Sequence, residues 1–237
     1  MPPDESEPLP PQNWEPLSLL ERRILGVLVE KQKTSKSADT YPLSLNALTT
    51  GCNQKSNRDP VLDLSEEEVE EGLNALQKQG LVMRLTGGRV DRFKHELYDK
   101  WTFHGAQMAV LAELLRRGPQ TKGELRTRAS RMDHIDTLET LEEVLEPLVE
   151  RRLAIYLTEP DRRGAIIAHG FYAPDDVVRL KAQFAGAPLE QVSPPRMVSP
   201  SHPGSGFESR LQDAETEIVK LRAELAALAL LVAEIKK

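Results

Sequence analysis

Residues 65–94 read SEEEVEEGLNALQKQGLVMRLTGGRVDRFK. Ser65 and Glu68 have the spacing of a capping box, which predicts that a helix begins here. Apolar residues at helical spacing continue that helix, and a Thr-Gly-Gly turn between residues 81–85 and 90–94 predicts a short β-hairpin. A helix followed directly by such a hairpin is the typical ending of a winged-helix domain.

Two further helices are predicted ahead of this stretch. Apolar residues at helical spacing between Leu17 and Lys31 predict the first helix, and Pro42 and Ser44 begin a short second helix that ends near Gly51. The order helix, helix, helix, hairpin is that of a winged helix, in which the hairpin is the wing. The sequence therefore predicts a mainly α fold with small β-hairpin wings (α+β).

The same order of elements recurs further along the chain. Residues 65–86 align without a gap on residues 137–158, at an offset of 72 residues and with 8 identities in 22 positions. Helices over residues 102–117 and 121–129, and a third helix capped by Asp136, complete the second copy. The prediction is a tandem repeat of two winged-helix domains.

The other segments differ in composition from these two domains, which are predicted at residues 14–101 and 102–184. Residues 1–13 are acidic and rich in proline, and are expected to form a disordered arm. Prolines mixed with glycine and serine mark residues 185–206 as a linker. Apolar residues at heptad spacing predict a coiled-coil helix over residues 207–237.

The heptads of this last helix favour self-association into a homo-oligomer. With Leu211 at position a, a parallel pair places Arg210 opposite Glu215 and Glu217 opposite Arg222, both of opposite sign. Docking of the helix on the chain's own domains is the alternative, whereas its mixed polar face argues against a membrane surface. The residues of the seam are Leu211, Ile218, Leu221, Leu225, Leu228, Val232 and Ile235.

Two segments carry a resemblance to a known family. TYPLSLNAL at residues 40–48 and GCNQKSNRDPV at residues 51–61 are specific, and AVLAELLRRGPQTKGELRTRASRM at residues 109–132 adds to them. Over residues 17–173 the chain resembles the YceH-like family of uncharacterised bacterial proteins. The resemblance implies two winged-helix domains in tandem and no established biochemical activity.

The composition excludes several classes of protein. The chain has 237 residues, a net charge of −6, 39% hydrophobic residues and one cysteine. A single cysteine excludes a disulfide framework and suits a cytoplasmic protein. No apolar run reaches the roughly 18 residues that span a bilayer, and no signal peptide is recognisable.

Catalysis has little support in the sequence. The five histidines are scattered, none of them has metal-ligand spacing, and no phosphate-binding glycine motif occurs. Cys52 stands without a catalytic signature and is expected to be an inert small residue. We therefore predict a protein that is not an enzyme and uses no metal or cofactor.

The charge distribution limits how the protein can bind duplex DNA. Half of the net charge lies in residues 1–13, so the two domains are nearly neutral. Glutamates on both third helices would repel the phosphates if those helices entered the major groove. Basic residues on the wings, on the short helix of the second copy and in the 51–61 segment are the nucleic-acid-binding candidates, although an ordinary solvated surface explains them equally well. They are Lys55, Arg58, Arg84, Arg89, Arg92, Lys94, Lys122, Arg126, Arg128, Arg131, Arg162 and Arg163.

The rival hypothesis is a protein-interaction adaptor that uses the acidic third helices. A third possibility is a specific site in the TYPLSLNALTTGCNQKSNR segment, formed by Tyr41, Asn46, Asn53, Gln54, Asn57 and Arg58, although these groups can equally satisfy backbone atoms of their own loops. A DNA-associated or regulatory role is the first expectation, because basic residues decorate both copies. The acidic candidates for a protein partner are Glu67, Glu71, Glu139, Glu142, Glu143 and Glu146.

Overall fold

The computed structural model describes residues 14–35 and 40–185. The chain divides into two units, Met1–Val192 and Ser193–Lys237, and all the described residues belong to the first. The predicted arm, residues 186–206 of the predicted linker and the coiled-coil seam from Leu211 to Ile235 lie outside the described residues.

The first repeat, residues 19–101, has the predicted order of elements with two additions. Ser18 and Glu21 form a capping box that begins the first helix, and Ser65 and Glu68 form the predicted box before the third. The elements are α1 (Leu19–Thr34), β1 (Leu43–Ser44), α2 (Leu45–Cys52), α3 (Glu66–Lys78), β2 (Val82–Leu85), β3 (Arg92–His95) and α4 (Leu97–Trp101).

The second repeat, residues 105–185, follows the same plan. Its third helix begins 72 residues after that of the first repeat, as the alignment predicted, and both helices have 13 residues. The elements are α5 (Gly105–Arg117), β4 (Gln120–Thr121), α6 (Lys122–Ala129), α7 (Leu138–Glu150), β5 (Ala154–Tyr156), β6 (Ile166–His169) and α8 (Pro174–Ala185).

Each repeat contains a three-stranded antiparallel sheet rather than a bare hairpin. The strand orders are β1-β3-β2 and β4-β6-β5, so that a short strand before the second helix extends each wing. Val82 pairs with His95 in the first sheet, and Ala154 pairs with His169 at the same place in the second. The fold is therefore mainly helical with two small sheets and consists of two winged-helix-like units.

Two predicted helix starts are wrong. The helix predicted from Thr102 begins at Gly105, because Thr102 has a left-handed backbone (φ 56°) and ends the preceding short helix α4. The residue that caps α7 is Thr137, whose hydroxyl accepts the Thr140 N–H at 3.1 Å, and not Asp136. Asp136 instead lies 2.7 Å from His134.

The two repeats share one hydrophobic core. Helices α1 and α5 pack together, and Gly26 permits their close approach, since a Cβ there would lie 3.2 Å from the Ala112 carbonyl oxygen. Leu17 N–H donates to the Phe171 carbonyl at 3.0 Å, and the Phe171 ring stacks on Trp101. The beginning of the first repeat is thus fastened to the end of the second sheet. No helix within residues 14–35 and 40–185 has the length and apolarity to cross a membrane.

Candidate interaction surfaces

Most of the predicted nucleic-acid-binding residues of the first wing are engaged within the protein. Arg84 forms ion pairs with Asp91 at 2.7 Å and Glu70 at 3.5 Å, and Lys94 pairs with Glu96 at 2.8 Å. Arg92 is exposed but donates to the carbonyl oxygen of Pro42. The wing is therefore less basic than its sequence implies.

The short helix α6 and its surroundings show the same pairing. Lys122 pairs with Glu142 at 2.5 Å and Arg128 with Glu124 at 3.0 Å. Arg126 donates to the carbonyl of Asp136 at 2.6 Å, and Arg131 donates to the side chain of Asn57 at 2.8 Å. Lys122, Arg126 and Arg128 therefore bond to groups of the second repeat, and Arg131 joins that repeat to the 51–61 loop.

Arg58 is a wrong candidate for nucleic-acid binding, because its side chain is fully buried. The guanidinium pairs with Glu30 at 2.6 Å and donates through Nε to the Gly51 carbonyl at 3.0 Å. Glu30 also accepts from Arg116 of the second repeat, which pairs with Glu113 at 2.6 Å. Arg58 therefore belongs to a buried charge network that joins the two repeats. We call its four residues, Glu30, Arg58, Glu113 and Arg116, the junction network.

The polar residues of the 51–61 segment bond to the junction network and to groups near it. Burial raises the pKa of Glu30, but Arg116 and Arg58 outweigh burial and hold it below the ordinary value of 4.5. Asn57 accepts from Arg117 at 2.9 Å, and Asn53 exchanges two hydrogen bonds with the backbone of Leu64. Asn53 thus bonds to the backbone of its own loop, and Asn57 bonds to a side chain of the second repeat.

The other polar residues of that segment also have internal partners. The Tyr41 hydroxyl accepts the His95 N–H at 3.0 Å, Gln54 accepts from Arg58 at 2.9 Å, and Asn46 donates to Glu66 at 2.9 Å. Cys52 is buried, and burial raises the pKa of its thiol to about 12. It is thus protonated and inert near neutral pH.

Each wing tip carries an exposed arginine. Arg89 and Arg163 are exposed, and neither forms an ion pair with any described residue. Val90, 54% exposed, lies beside Arg89. Arg162 is half-buried at the second tip, and Lys55 is exposed in the loop after α2.

The acidic faces of both third helices are exposed, as predicted. Glu67 and Glu71 on α3 and Glu139, Glu143 and Glu146 on α7 are all exposed. The pKa values of Glu67 and Glu139 are lowered, because each accepts its own backbone N–H and the hydroxyl of the capping residue. Both carboxylates are therefore ionised at neutral pH.

Helix α7 borders an acidic groove. The groove has a volume of about 620 Å³, and its apolar lining comes from Val149, Tyr156 and Pro160. Among the described residues of its wall, Lys122 is the one cation, and it is already paired with Glu142. The six carboxylates that line the groove are those of Glu139, Glu142, Glu143, Glu146, Glu150 and Asp161.

Sequence reasoning missed part of this groove. Asp161, Tyr156 and Pro160 come from the hairpin after α7, and a sequence pattern on one helix does not reveal which hairpin residues pack beside it. The alignment of the repeats held one signal of this groove. Glu146 and Glu150 stand where the first copy has Asn74 and Lys78, so the exposed face of α7 is more acidic than that of α3. Within the described residues, no group of three or more potential ligands could hold a metal ion.

Comparisons with known proteins place the chain in a family. A family model described as "Protein of unknown function, DUF480" matches residues 17–164, which include the junction network and both third helices. The chain belongs to this family. The match ends at the second wing tip, so α8 lies outside the part that the DUF480 model covers.

Relatives bearing the name UPF0502 protein extend the match. The one from Geotalea daltonii is 50% identical over 149 residues, which are 62% of this chain and 67% of the relative. Another, from Mesorhizobium japonicum, is 37% identical over 215 residues, 90% of this chain and 96% of the relative. A third, from Rhodopirellula baltica, is 44% identical over 177 residues, 73% of each chain. Their names assign no activity to the DUF480 family.

Proposed function

We propose that this protein is a protein-interaction adaptor, and that the groove along α7 binds a basic, amphipathic segment of a partner protein. One observation carries the proposal: six carboxylates and three apolar residues line the groove, with a single paired lysine among the described residues of the wall. Basic side chains of a partner would pair with these carboxylates while its apolar side chains cover Val149, Tyr156 and Pro160. Charge complementarity of this kind speeds association and selects the partner.

The pairing of the basic residues supports an adaptor over a DNA-binding protein. Arg84, Lys94, Lys122 and Arg128 each form an ion pair with a neighbouring carboxylate. Phosphate contacts would have to compete with these pairs, and the exposed glutamates of both third helices would repel the duplex. The same glutamates favour a cationic partner.

The test exchanges residues of different charge between equivalent positions of the two repeats. The changes Glu146→Asn and Glu150→Lys give α7 the residues that α3 has at these two positions, so the helix should still fold. The full-length variant and the wild type are used for affinity purification with and without nuclease. We expect nuclease-resistant partners that the wild type retains and the variant loses.

The matched control makes the opposite exchange on the first repeat, Asn74→Glu and Lys78→Glu, and should retain the same partners. Partners that bind equally to all three proteins would refute the proposal that the α7 groove is the binding site. Partners that vanish from the wild type after nuclease treatment would favour DNA instead.

A second candidate function is sequence-nonspecific DNA contact through the wing tips. Arg89 and Arg163 favour it, because they are exposed and form no ion pair within the described part of the chain. Val90 beside Arg89 resembles the apolar side chains that minor-groove proteins combine with arginine. Fluorescence anisotropy on duplex DNA at low and moderate salt, with charge reversal at Arg89, Arg92, Arg162 and Arg163, tests this candidate. Binding that survives the reversal would exclude the wings.

Three further expectations accompany the proposal. Self-association through residues 207–237 would present two grooves and raise the avidity for a repetitive partner. The single cysteine suits a cytoplasmic location. The resemblance to the YceH-like family supports the tandem arrangement and adds no activity, and we propose a role that is not enzymatic on the sequence argument alone.

A further inference from the structure

A cavity of about 350 Å³ lies at the junction of the two repeats, away from the α7 groove. Its walls come from α1, the 51–61 loop, the end of α5, the segment after β6, and α8. Leu19, Pro60, Leu115, Pro119 and Phe184 give it an apolar lining. A mostly apolar cavity of this size with a few polar groups is typical of small-molecule sites.

The polar wall of the cavity contains a histidine with two hydrogen-bond donors directed at it. The His169 side chain is fully buried, and its Nδ1 accepts the Phe171 N–H at 3.2 Å. Its Nε2 lies 2.9 Å from Nη1 of Arg22, which has only donors. Burial, with Arg22 adding to it, lowers the pKa of His169 well below the ordinary value of 6.5, so the ring is neutral. A neutral ring has one N–H and one acceptor nitrogen, so it can accept from only one of these two donors at a time.

The equivalent histidine of the first repeat shows the satisfied arrangement. Nδ1 of His95 accepts the Leu97 N–H at 3.3 Å, in the same way. Nε2 of His95, however, donates to the side-chain oxygen of Gln32. The second repeat thus keeps the histidine and its backbone contact, but has a cation where the first has an acceptor.

Arg22 itself has no carboxylate partner among the described residues. Its Nε donates to the Ser18 carbonyl at 3.2 Å, and its guanidinium lies 4.7 Å from the centre of the Tyr172 ring. Arg117 also lines the cavity and pairs with Glu113. Asp59 is the one acid among the described lining residues, and Asp176 near Tyr172 pairs with Arg179 at 3.3 Å. Arg22 is therefore a cation of the cavity wall whose described acceptors are neutral groups: the Ser18 carbonyl, the His169 ring and the Tyr172 hydroxyl.

We propose that this cavity binds a small organic anion, with an oxyanion that displaces the direct contact of 2.9 Å between Arg22 and His169 and an apolar body against Pro60, Leu115 and Phe184. Once that contact opens, a carboxylate or phosphate oxygen would accept from both Arg22 Nη1 and an N–H at His169 Nε2, so that each donor gains an acceptor. Charge-assisted hydrogen bonds are the stronger kind. The Tyr172 ring stacks on His169 at 4.0 Å between centroids and closes one side of the site.

The test titrates the full-length protein with benzoate, phenyl phosphate and the neutral benzyl alcohol, and follows backbone amide resonances by NMR. The Phe171 amide reports on the site because it donates to His169, and the Leu97 amide is its counterpart in the first repeat. We expect benzoate or phenyl phosphate to shift the Phe171 resonance while Leu97 stays unchanged. The one that binds more tightly identifies the oxyanion, and benzyl alcohol should bind more weakly than both.

An Arg22→Gln variant should weaken this binding by roughly tenfold or more, since it removes a charge-assisted hydrogen bond. Arg89→Gln, on the exposed first wing, is the matched control and should bind as the wild type does. Equal shifts of Phe171 and Leu97, equal binding by Arg22→Gln, or no binding of either anion at concentrations of about 10 mM would overturn the proposal.

Discussion

The two repeats share a framework and differ on their surfaces. Their third helices have equal length and begin 72 residues apart, and His95 and His169 end equivalent strands. On the exposed face of the helix, however, Lys78 of the first repeat corresponds to Glu150 of the second. Leu73 and Leu76 of the buried face recur as Leu145 and Leu148, whereas the end of the exposed face changes its charge.

The largest predicted effect concerns what joins the repeats. Arg116→Ala should destabilise the protein by about 3–5 kcal/mol, because it leaves Glu30 and Glu113 buried with fewer partners. Urea unfolding monitored by the fluorescence of Trp101, which stacks on Phe171 at the junction, measures the loss.

The control for this prediction is a pair within one repeat. Arg84→Ala removes a half-exposed ion pair with Asp91 and should cost at most about 1 kcal/mol. Similar losses for both variants would mean that the junction network contributes no more than a surface pair.

The second prediction compares the buried histidine of the first repeat with an exposed one. Burial, with a smaller contribution from Lys94 and Lys33, lowers the pKa of His95 from 6.5 to about 4. Below pH 6.5 the histidine of the unfolded chain takes up a proton, while buried His95 of the folded protein does not. The contribution of neutral His95 to the free energy of unfolding is therefore present above pH 6.5 and is lost as the pH falls towards 4. One pKa unit corresponds to about 1.4 kcal/mol, so His95 alone accounts for about 3 kcal/mol.

Free energies of unfolding at pH 7 and pH 4.5 measure this loss in the wild type and in His95→Gln, which should lose less. His134→Gln, at a position that is 84% exposed, controls for the substitution itself. A pH dependence that is the same in all three proteins would contradict the assignment.

The third prediction concerns the caps of the two equivalent helices. Ser65 accepts from Glu68 N–H and donates its own N–H to the Glu68 carboxylate, whereas Thr137 accepts from Thr140, whose short side chain replaces that carboxylate. Ser65→Ala and Thr137→Ala should each cost about 1 kcal/mol, and Thr140→Glu should stabilise α7 by completing its capping box. Thermal unfolding of the three variants measures these changes, and a loss of stability in Thr140→Glu would contradict the comparison.

The smallest predicted effect comes from the last residue of each third helix. A helix favours cations at its C-terminus, so Glu150→Lys should stabilise the protein by about 0.3–1 kcal/mol and Lys78→Glu should destabilise it by a similar amount. The measurement is the urea midpoint at low ionic strength. If Glu150→Lys stabilises the protein and also abolishes partner binding, then Glu150 contributes to binding at a cost in stability.

The sequence predicted the local features of the fold because they depend on neighbouring residues. The capping box at Ser65, the glycine that ends α3 and the register of the repeat are of this kind. Burial of Arg58 could not be predicted, since an arginine in a polar loop is usually exposed and its burial depends on Glu30 and on Arg116 from the other repeat. The exposed acidic faces were predicted from helical spacing, but the hairpin residues beside them were not.

The hydrogen bond from Leu17 to Phe171 has a consequence for how the chain folds during synthesis. Domains usually fold one after another as they leave the ribosome. Here the first helix needs α5 to cover its face, and its start is fastened only when residue 171 has emerged. Nascent chains halted after the first repeat should therefore remain sensitive to protease, and protection should arise in one late step.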